Sequence, residues 1–157
     1  MKITKKSEYA VRALMQIALS GTESMVRASD IAAKENMSVK FLEQVLALLK
    51  NRGIVEARRG VGGGYVLNRP PENITVAEVI RLVDGPLAPV SCVSEMAYVP
   101  CERNERLCAL RSVMVEVRQA ILDVLEKTTL ADLCQRSREL TEAEKTIPLA
   151  AERPAGR

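Results

Sequence analysis

A chain of 157 residues with 47% hydrophobic and 27% charged side chains can build one packed domain, or a small domain plus an extension. Aromatic residues make up 3%, with no Trp, so the core is aliphatic; the lack of any histidine excludes histidine-based acid–base catalysis and the usual zinc-site partners. The formal charge of +3 is too small to identify a nucleic-acid binder, but its placement is informative: from Met1 to Asn68 eleven Lys and Arg stand against six Asp and Glu, a local surplus of +5.

No stretch is both long and apolar enough to cross a membrane, and MKITKKSEYA has no apolar signal-peptide run, which points to the cytosol. In that compartment the four cysteines are expected as thiols, metal ligands or redox groups rather than structural disulfides.

The helical spacing of Tyr9, Ala10, Ala13, Leu14, Ile17 and Ala18 predicts a first helix over Ser7–Leu19. Ser29 is placed to cap a short helix over Asp30–Glu35, and Asn36-Met37 supplies a turn. Ser38 caps the next helix, Val39–Asn51. Phe41, Leu42, Val45, Leu46 and Leu49 form its buried stripe; Lys40, Glu43, Gln44 and Lys50 face outward, and Gly53 closes it. Ile54–Ala57 and Tyr65–Leu67 read as two short strands around an Arg- and Gly-rich tip, Arg58 to Gly64. Helix, turn, helix and ribbon together outline a winged helix-turn-helix, a module that lays one helix in the DNA major groove.

Pro70-Pro71 marks a boundary, and Thr75 with Glu78 forms a capping box for a helix over Val76–Val83. Periodicity then disappears across a loop that carries Cys92 and Cys101, with Cys108 just beyond. A long helix is predicted over Asn104–Lys127. Its seam of Leu107, Leu110, Met114, Val117, Ile121 and Val124 suits a coiled-coil dimer, the alternative being an amphipathic helix lying on its own domain. Thr129 caps a last short helix, Leu130–Cys134. The fold expected is mostly α with a small β-wing. It divides into a winged helix-turn-helix over 1–85, a cysteine-bearing sensor loop over 86–104, a dimerisation helix with a short terminal helix over 104–136, and a disordered tail over 137–157.

These residues resemble the Rrf2-type bacterial transcription regulators, and among them the iron–sulfur cluster biogenesis regulator branch. The matching segments are MKITKKSEYAVRAL, MSVKFLEQVLALLKNRGIVEARRGVGGGYVL, TVAEVI and TTLADL, spread over Met1 to Leu133. The resemblance implies a homodimer that binds double-stranded DNA at a palindromic operator. It places Ser38, Lys40, Glu43 and Gln44 on the recognition helix and Arg59, beside Arg58, on the wing. The chemistry of the residues agrees: Gln pairs with adenine, Glu accepts from cytosine, Ser and Lys hold phosphates, and an arginine suits a narrow minor groove.

Three cysteines on one loop can converge on a cluster, whereas Cys134, outside the pattern, reads as a buried small side chain. The resemblance implies that Cys92, Cys101 and Cys108 hold an iron–sulfur cluster, [2Fe-2S] favoured over [4Fe-4S]. The spacing of eight and six residues is wider than in those relatives, and Arg111 stands where the biogenesis regulators carry a histidine. The fourth ligand must then come from elsewhere: Glu8 of the partner subunit occupies the position that some relatives use, with Glu102, Glu105, Cys134, a small thiol or solvent as competitors. The other reading is a regulator of the same family without a cluster, controlled by thiol oxidation, a small ligand or a partner protein. An enzyme is not expected, because the Gly60–Gly64 run lies between strands and no Walker, Rossmann or nucleophile motif is present.

Overall fold

The computed structural model describes residues 3–21, 24–102 and 104–146. Thr4 opens the first helix, α1 (Lys5–Leu19), where its hydroxyl accepts the Ser7 N–H, so the helix begins before the expected Ser7. Its apolar face, Ala10, Ala13, Leu14 and Ile17, is wholly buried and is the axis of the fold, with α3, α4 and α6 packed around it.

Helix α2 (Ala28–Lys34) and α3 (Val39–Asn51) meet across Asn36, whose positive φ of 51° makes the sharp turn. Ser29 does not cap α2. The N-cap is Arg27, without a side-chain bond, and Ser29 sits in the first turn with its hydroxyl on Asp30. Ser38 does cap α3, accepting the Phe41 N–H at 3.5 Å. Leu42, Val45, Leu46 and Leu49 are buried beside Ile31, Ile54 and Ile74, each large side chain contributing about 1.5–3 kcal/mol. Tyr9 and Phe41 close the edge of this core in a T-shaped ring contact, centroids 5.4 Å apart.

Strands β1 (Val55–Arg58) and β2 (Gly64–Leu67) pair antiparallel, Val55 with Leu67 and Arg58 with Gly64. Val26, in the stretch before α2, exchanges both backbone bonds with Tyr65, at 2.8 and 3.0 Å, and so fastens the ribbon to the helix-turn-helix. That contact needs Gly64, where a Cβ would lie 2.7 Å from the Val26 carbonyl oxygen.

Helix α4 (Val76–Asp84) starts on Thr75, which accepts the Glu78 N–H at 3.1 Å. The reciprocal half of the expected capping box is not formed; the Glu78 carboxylate pairs with Arg69 instead. The long helix, α5 (Ala109–Leu125), is shorter than expected at both ends: a 3-10 turn, Glu105–Leu107, takes the place of its first turn, and it ends with Glu126 as its C-cap. Ile121, Leu122 and Leu125 pack on Val76, Ala77, Ile80 and Leu87 in a second core. Helix α6 (Leu130–Thr146) is capped by Thr129, whose backbone N–H and hydroxyl engage Asp132. It runs three turns past the expected end at Cys134, so residues 137–146, read from the sequence as part of a disordered tail, are helical; residues 147–157 lie outside those described. No helix of the described residues is long and apolar enough to cross a membrane.

Candidate nucleic-acid interface and cysteine loop

The packing of α3 decides what it shows to solvent. With Leu42, Val45, Leu46 and Leu49 turned inward, Lys40, Glu43, Gln44 and Ala47 form one exposed face at helical spacing, and Ser38 stands exposed at its N-terminal end. Ala47 was not singled out from the sequence; its position one helical repeat after Lys40 was the available signal. Such a face offers Gln and Glu for base edges, an alanine methyl for thymine, and a lysine for phosphate.

At the wing tip Gly60 and Gly62 take φ of 100° and 77°, closing a turn in which the Gly63 N–H bonds to the Gly60 carbonyl at 3.0 Å. Val61, between them, is fully exposed. The two wing arginines differ. Arg58 is tied back to Glu56 at 3.0 Å, whereas Arg59 has no ion pair among the described residues and projects an unneutralised guanidinium. The Glu56 partner was not foreseen, although its i,i+2 spacing on a strand puts both side chains on one face.

Glu8 lies on α1 with Lys5 at 2.7 Å and Arg12 at 3.2 Å. The hydrogen bond from Lys5 and the two cationic charges hold its carboxyl below the usual range, against an opposing effect of burial.

The segment between α4 and α5 is anchored rather than loose. Leu87, Val93 and Ser94 are buried, and Arg118 of α5 donates to the Val93 carbonyl at 2.7 Å while pairing with Glu95 at 2.9 Å. Cys92, in the 3-10 turn Ser91–Val93, is half-buried; Cys101 is exposed; Cys108 is half-buried at the N-cap of α5, its Sγ accepting the Arg111 N–H at 3.4 Å. None of the four cysteines is in a disulfide. Among the described residues no three His, Cys, Asp or Glu side chains come together as a ready metal-holding group.

Glu105 ties this segment together. One carboxylate oxygen accepts the Tyr98 hydroxyl at 2.8 Å and the Cys101 N–H at 3.2 Å; the other lies 3.2 Å from Arg111 Nε, an ion pair whose N–H is not aimed well enough for a hydrogen bond. The Tyr98 bond first, then the Cys101 N–H, keep the Glu105 carboxyl below its ordinary range, and the same bond, with burial adding to it, pushes the Tyr98 phenol up. Cys134 lies elsewhere, buried on α6 with its Sγ 3.8 Å from the Met15 carbonyl, and burial pushes its thiol up.

The fold, the exposed face of α3 and the arginine-bearing wing can be compared with known proteins. The family model of the Rrf2 regulators, described as iron-dependent transcriptional regulators, matches residues 3–136. The chain belongs to the Rrf2 family.

An Rrf2-like putative helix-turn-helix regulator of Rhodobacter capsulatus is 35% identical over 136 residues, 83% of this chain and 91% of that protein. The regulator IscR of Erwinia tasmaniensis is 32% identical over 145 residues, covering 92% and 86%. Among solved structures, CymR, the global cysteine regulator of Bacillus subtilis, superposes with a TM-score of 0.74 at 33% identity, covering 87% of this chain and 98% of that one. As an Rrf2 protein the chain is a DNA-binding transcription regulator and not an enzyme, and the six α-helices and one antiparallel ribbon of its described residues are the winged-helix architecture of those regulators.

Proposed function

We propose that this Rrf2 regulator works as a homodimer on a palindromic operator in the bacterial cytoplasm and senses iron–sulfur or redox status through Cys92, Cys101 and Cys108. The observation that carries the reading is the placement of all three cysteines on one segment that feeds directly into α5, the helix whose apolar stripe of Leu110, Val113, Val117 and Val124 is left exposed by the described residues. Three thiols are the donor chemistry of an iron–sulfur cluster, which when bound supplies redox-active iron, with [2Fe-2S] favoured over [4Fe-4S]. The family description as iron-dependent and the likeness to IscR support the same reading.

The chain's own residues couple loop to helix: Cys108 caps α5 and Arg118 ties the start of the loop to the same helix. Ser38, Lys40, Glu43, Gln44 and Arg59 meet the DNA, with Arg58, held by Glu56, in a supporting place. Glu8 of the partner subunit is the fourth-ligand candidate, and to serve it must leave Lys5 and Arg12.

The second reading, a thiol-switched regulator without a cluster, is favoured by the absence of three gathered donors among the described residues and by the likeness to CymR, a cysteine regulator. Purification without oxygen, followed by a visible spectrum with iron and sulfide analysis, separates the two. Thiolate-to-iron bands lost on changing Cys92, Cys101 or Cys108 to Ala, but kept in Cys134→Ala, establish the cluster. A colourless, iron-free dimer that still binds DNA leaves a regulator without a cluster, controlled by thiol oxidation, a small ligand or a partner protein.

A further inference from the structure

The wing tip is built almost entirely from backbone. The Gly60 carbonyl accepts the Gly63 N–H at 3.0 Å and Gly62 has φ of 77°, the pattern of a type II turn with Val61 at its first corner. Gly63 admits no side chain, since a Cβ there would collide with the Arg58 carbonyl oxygen, and Gly64 is pressed against Val26. The tip is thus held in one shape, and Val61 is the one side chain it carries between Arg59 and Tyr65. That side chain is fully exposed and belongs to neither core. Turn chemistry does not call for it: this corner favours Pro, turns in general favour Gly, Asn, Asp and Ser, and an isopropyl group left in water gains nothing.

We propose that Val61 is a specificity-determining residue for DNA, an apolar tip that enters the minor groove beside Arg59 and rejects guanine there. This rests on the reading of the wing as the minor-groove element and deepens it. Continuity with that surface selects the partner, because Arg59, two residues away, carries a guanidinium with no ion pair among the described residues. In the minor groove the base acceptors are common to A·T and G·C pairs, and the guanine 2-amino donor is the group that tells them apart. An isopropyl group packed over the groove floor strips water from that donor and offers it no acceptor, so the added cost falls on G·C alone. Arg59 draws the wing to a narrow groove through its charge; Val61 adds a penalty that carries no charge and therefore no salt dependence.

The test uses the full chain and a duplex that the wild-type protein selects from a random pool, altered in one half-site at the minor-groove steps flanking the major-groove contacts. Three duplexes carry A·T, inosine·cytosine or G·C at those steps. Inosine is guanine without the 2-amino group, so the last two present the same major groove and differ in the minor groove by that group. Wild-type protein should bind the first two with similar affinity and the G·C duplex about five- to a hundredfold more weakly, the scale of one buried donor left unpaired.

Val61→Ser, whose hydroxyl can accept from the guanine amino group, should close most of that gap, and Val61→Ala, which leaves room for a water, part of it. The salt slope of binding should stay that of wild type in both, because no charge is removed. Val61 is buried against nothing, so the variants should melt with the wild type. A gap between inosine and guanine that Val61→Ser and Val61→Ala both retain in full overturns the proposal and leaves the wing in the groove through Arg59. A wild-type protein indifferent to all three duplexes overturns the proposal together with the placement of the wing.

Discussion

Asp84, the last residue of α4, receives both the backbone N–H and the hydroxyl of Thr4, at 2.8 and 2.6 Å, eighty positions apart in the chain. The pair locks the start of α1 to the end of α4, the two helices that bring the DNA-binding half and the α5 layer together. Partial burial pushes the Asp84 carboxyl up, but the Ser7 and Thr4 hydroxyls, the Thr4 N–H and the Lys6 charge more than offset it, so it titrates below the ordinary value. The Ser7 hydroxyl is itself wholly buried with no hydrogen bond of good geometry, so we give Thr4 the larger share.

Asp84→Ala should therefore cost about 1–3 kcal/mol in urea unfolding at neutral pH. Because the folded carboxyl titrates below its unfolded value near 3.9, its contribution is complete above about pH 5 and is lost as pH falls through the folded value. The gap between wild type and Asp84→Asn should close in the same acid range. A gap that stays constant to acid pH would show that the bond is not the origin of the stability.

The two wing arginines should separate on salt titration of operator binding. Arg59→Ala should weaken binding and shallow the logarithmic salt slope by about one counterion, while Arg58→Ala, whose charge already meets Glu56, changes it less. Gln44→Ala should instead relax base preference by about 1–3 kcal/mol at one position of each half-site and leave the salt slope alone. Fluorescence anisotropy over a salt series with operator variants measures all three.

The apolar stripe of α5 is expected to be the dimer seam. Leu110, Val113, Val117 and Val124 are exposed, Leu110 at 65% and Val124 at 61%, whereas Met114 and Ile121, expected in the seam, are half-buried and Ile121 packs on α4. Leu110→Glu should give a folded monomer in sedimentation, with operator affinity reduced because one half-site remains. Ile121→Glu should lower the melting temperature instead. A Leu110→Glu protein that still sediments as a dimer would move the interface to another face.

The cysteines should differ in reactivity. Cys134 is 4% exposed with its thiol pushed up by burial, so it should resist iodoacetamide in the native protein and react only on unfolding, while Cys101, exposed on the loop, reacts first. Mass spectrometry of a native labelling time course reads the order. Rapid native labelling of Cys134 would mean that α6 opens from Met15 and α1.

Local patterns along the chain account for much of its architecture. The stripe of Leu42, Val45, Leu46 and Leu49, the Ser38, Thr75 and Thr129 caps, and the glycines between two short apolar runs each act over a few residues, so the winged helix-turn-helix and the outward side chains of α3 are legible in the amino-acid order alone. What depends on distant partners is not. Residues 137–146 are polar nearly all round and hide their helicity; α6 forms because Leu130, Leu133 and Cys134 anchor it to α1 and the core. The apolar stripe of α5 loses Ile121 to the core that α4 builds, a choice that periodicity alone cannot make. In the cysteine loop the sequence by itself determined which thiols share a segment. Only the tertiary structure decided that Glu105 ties Cys101 to Cys108 while Arg118 holds the turn of Cys92, because irregular backbone is shaped by individual hydrogen bonds and no repeating pattern announces them.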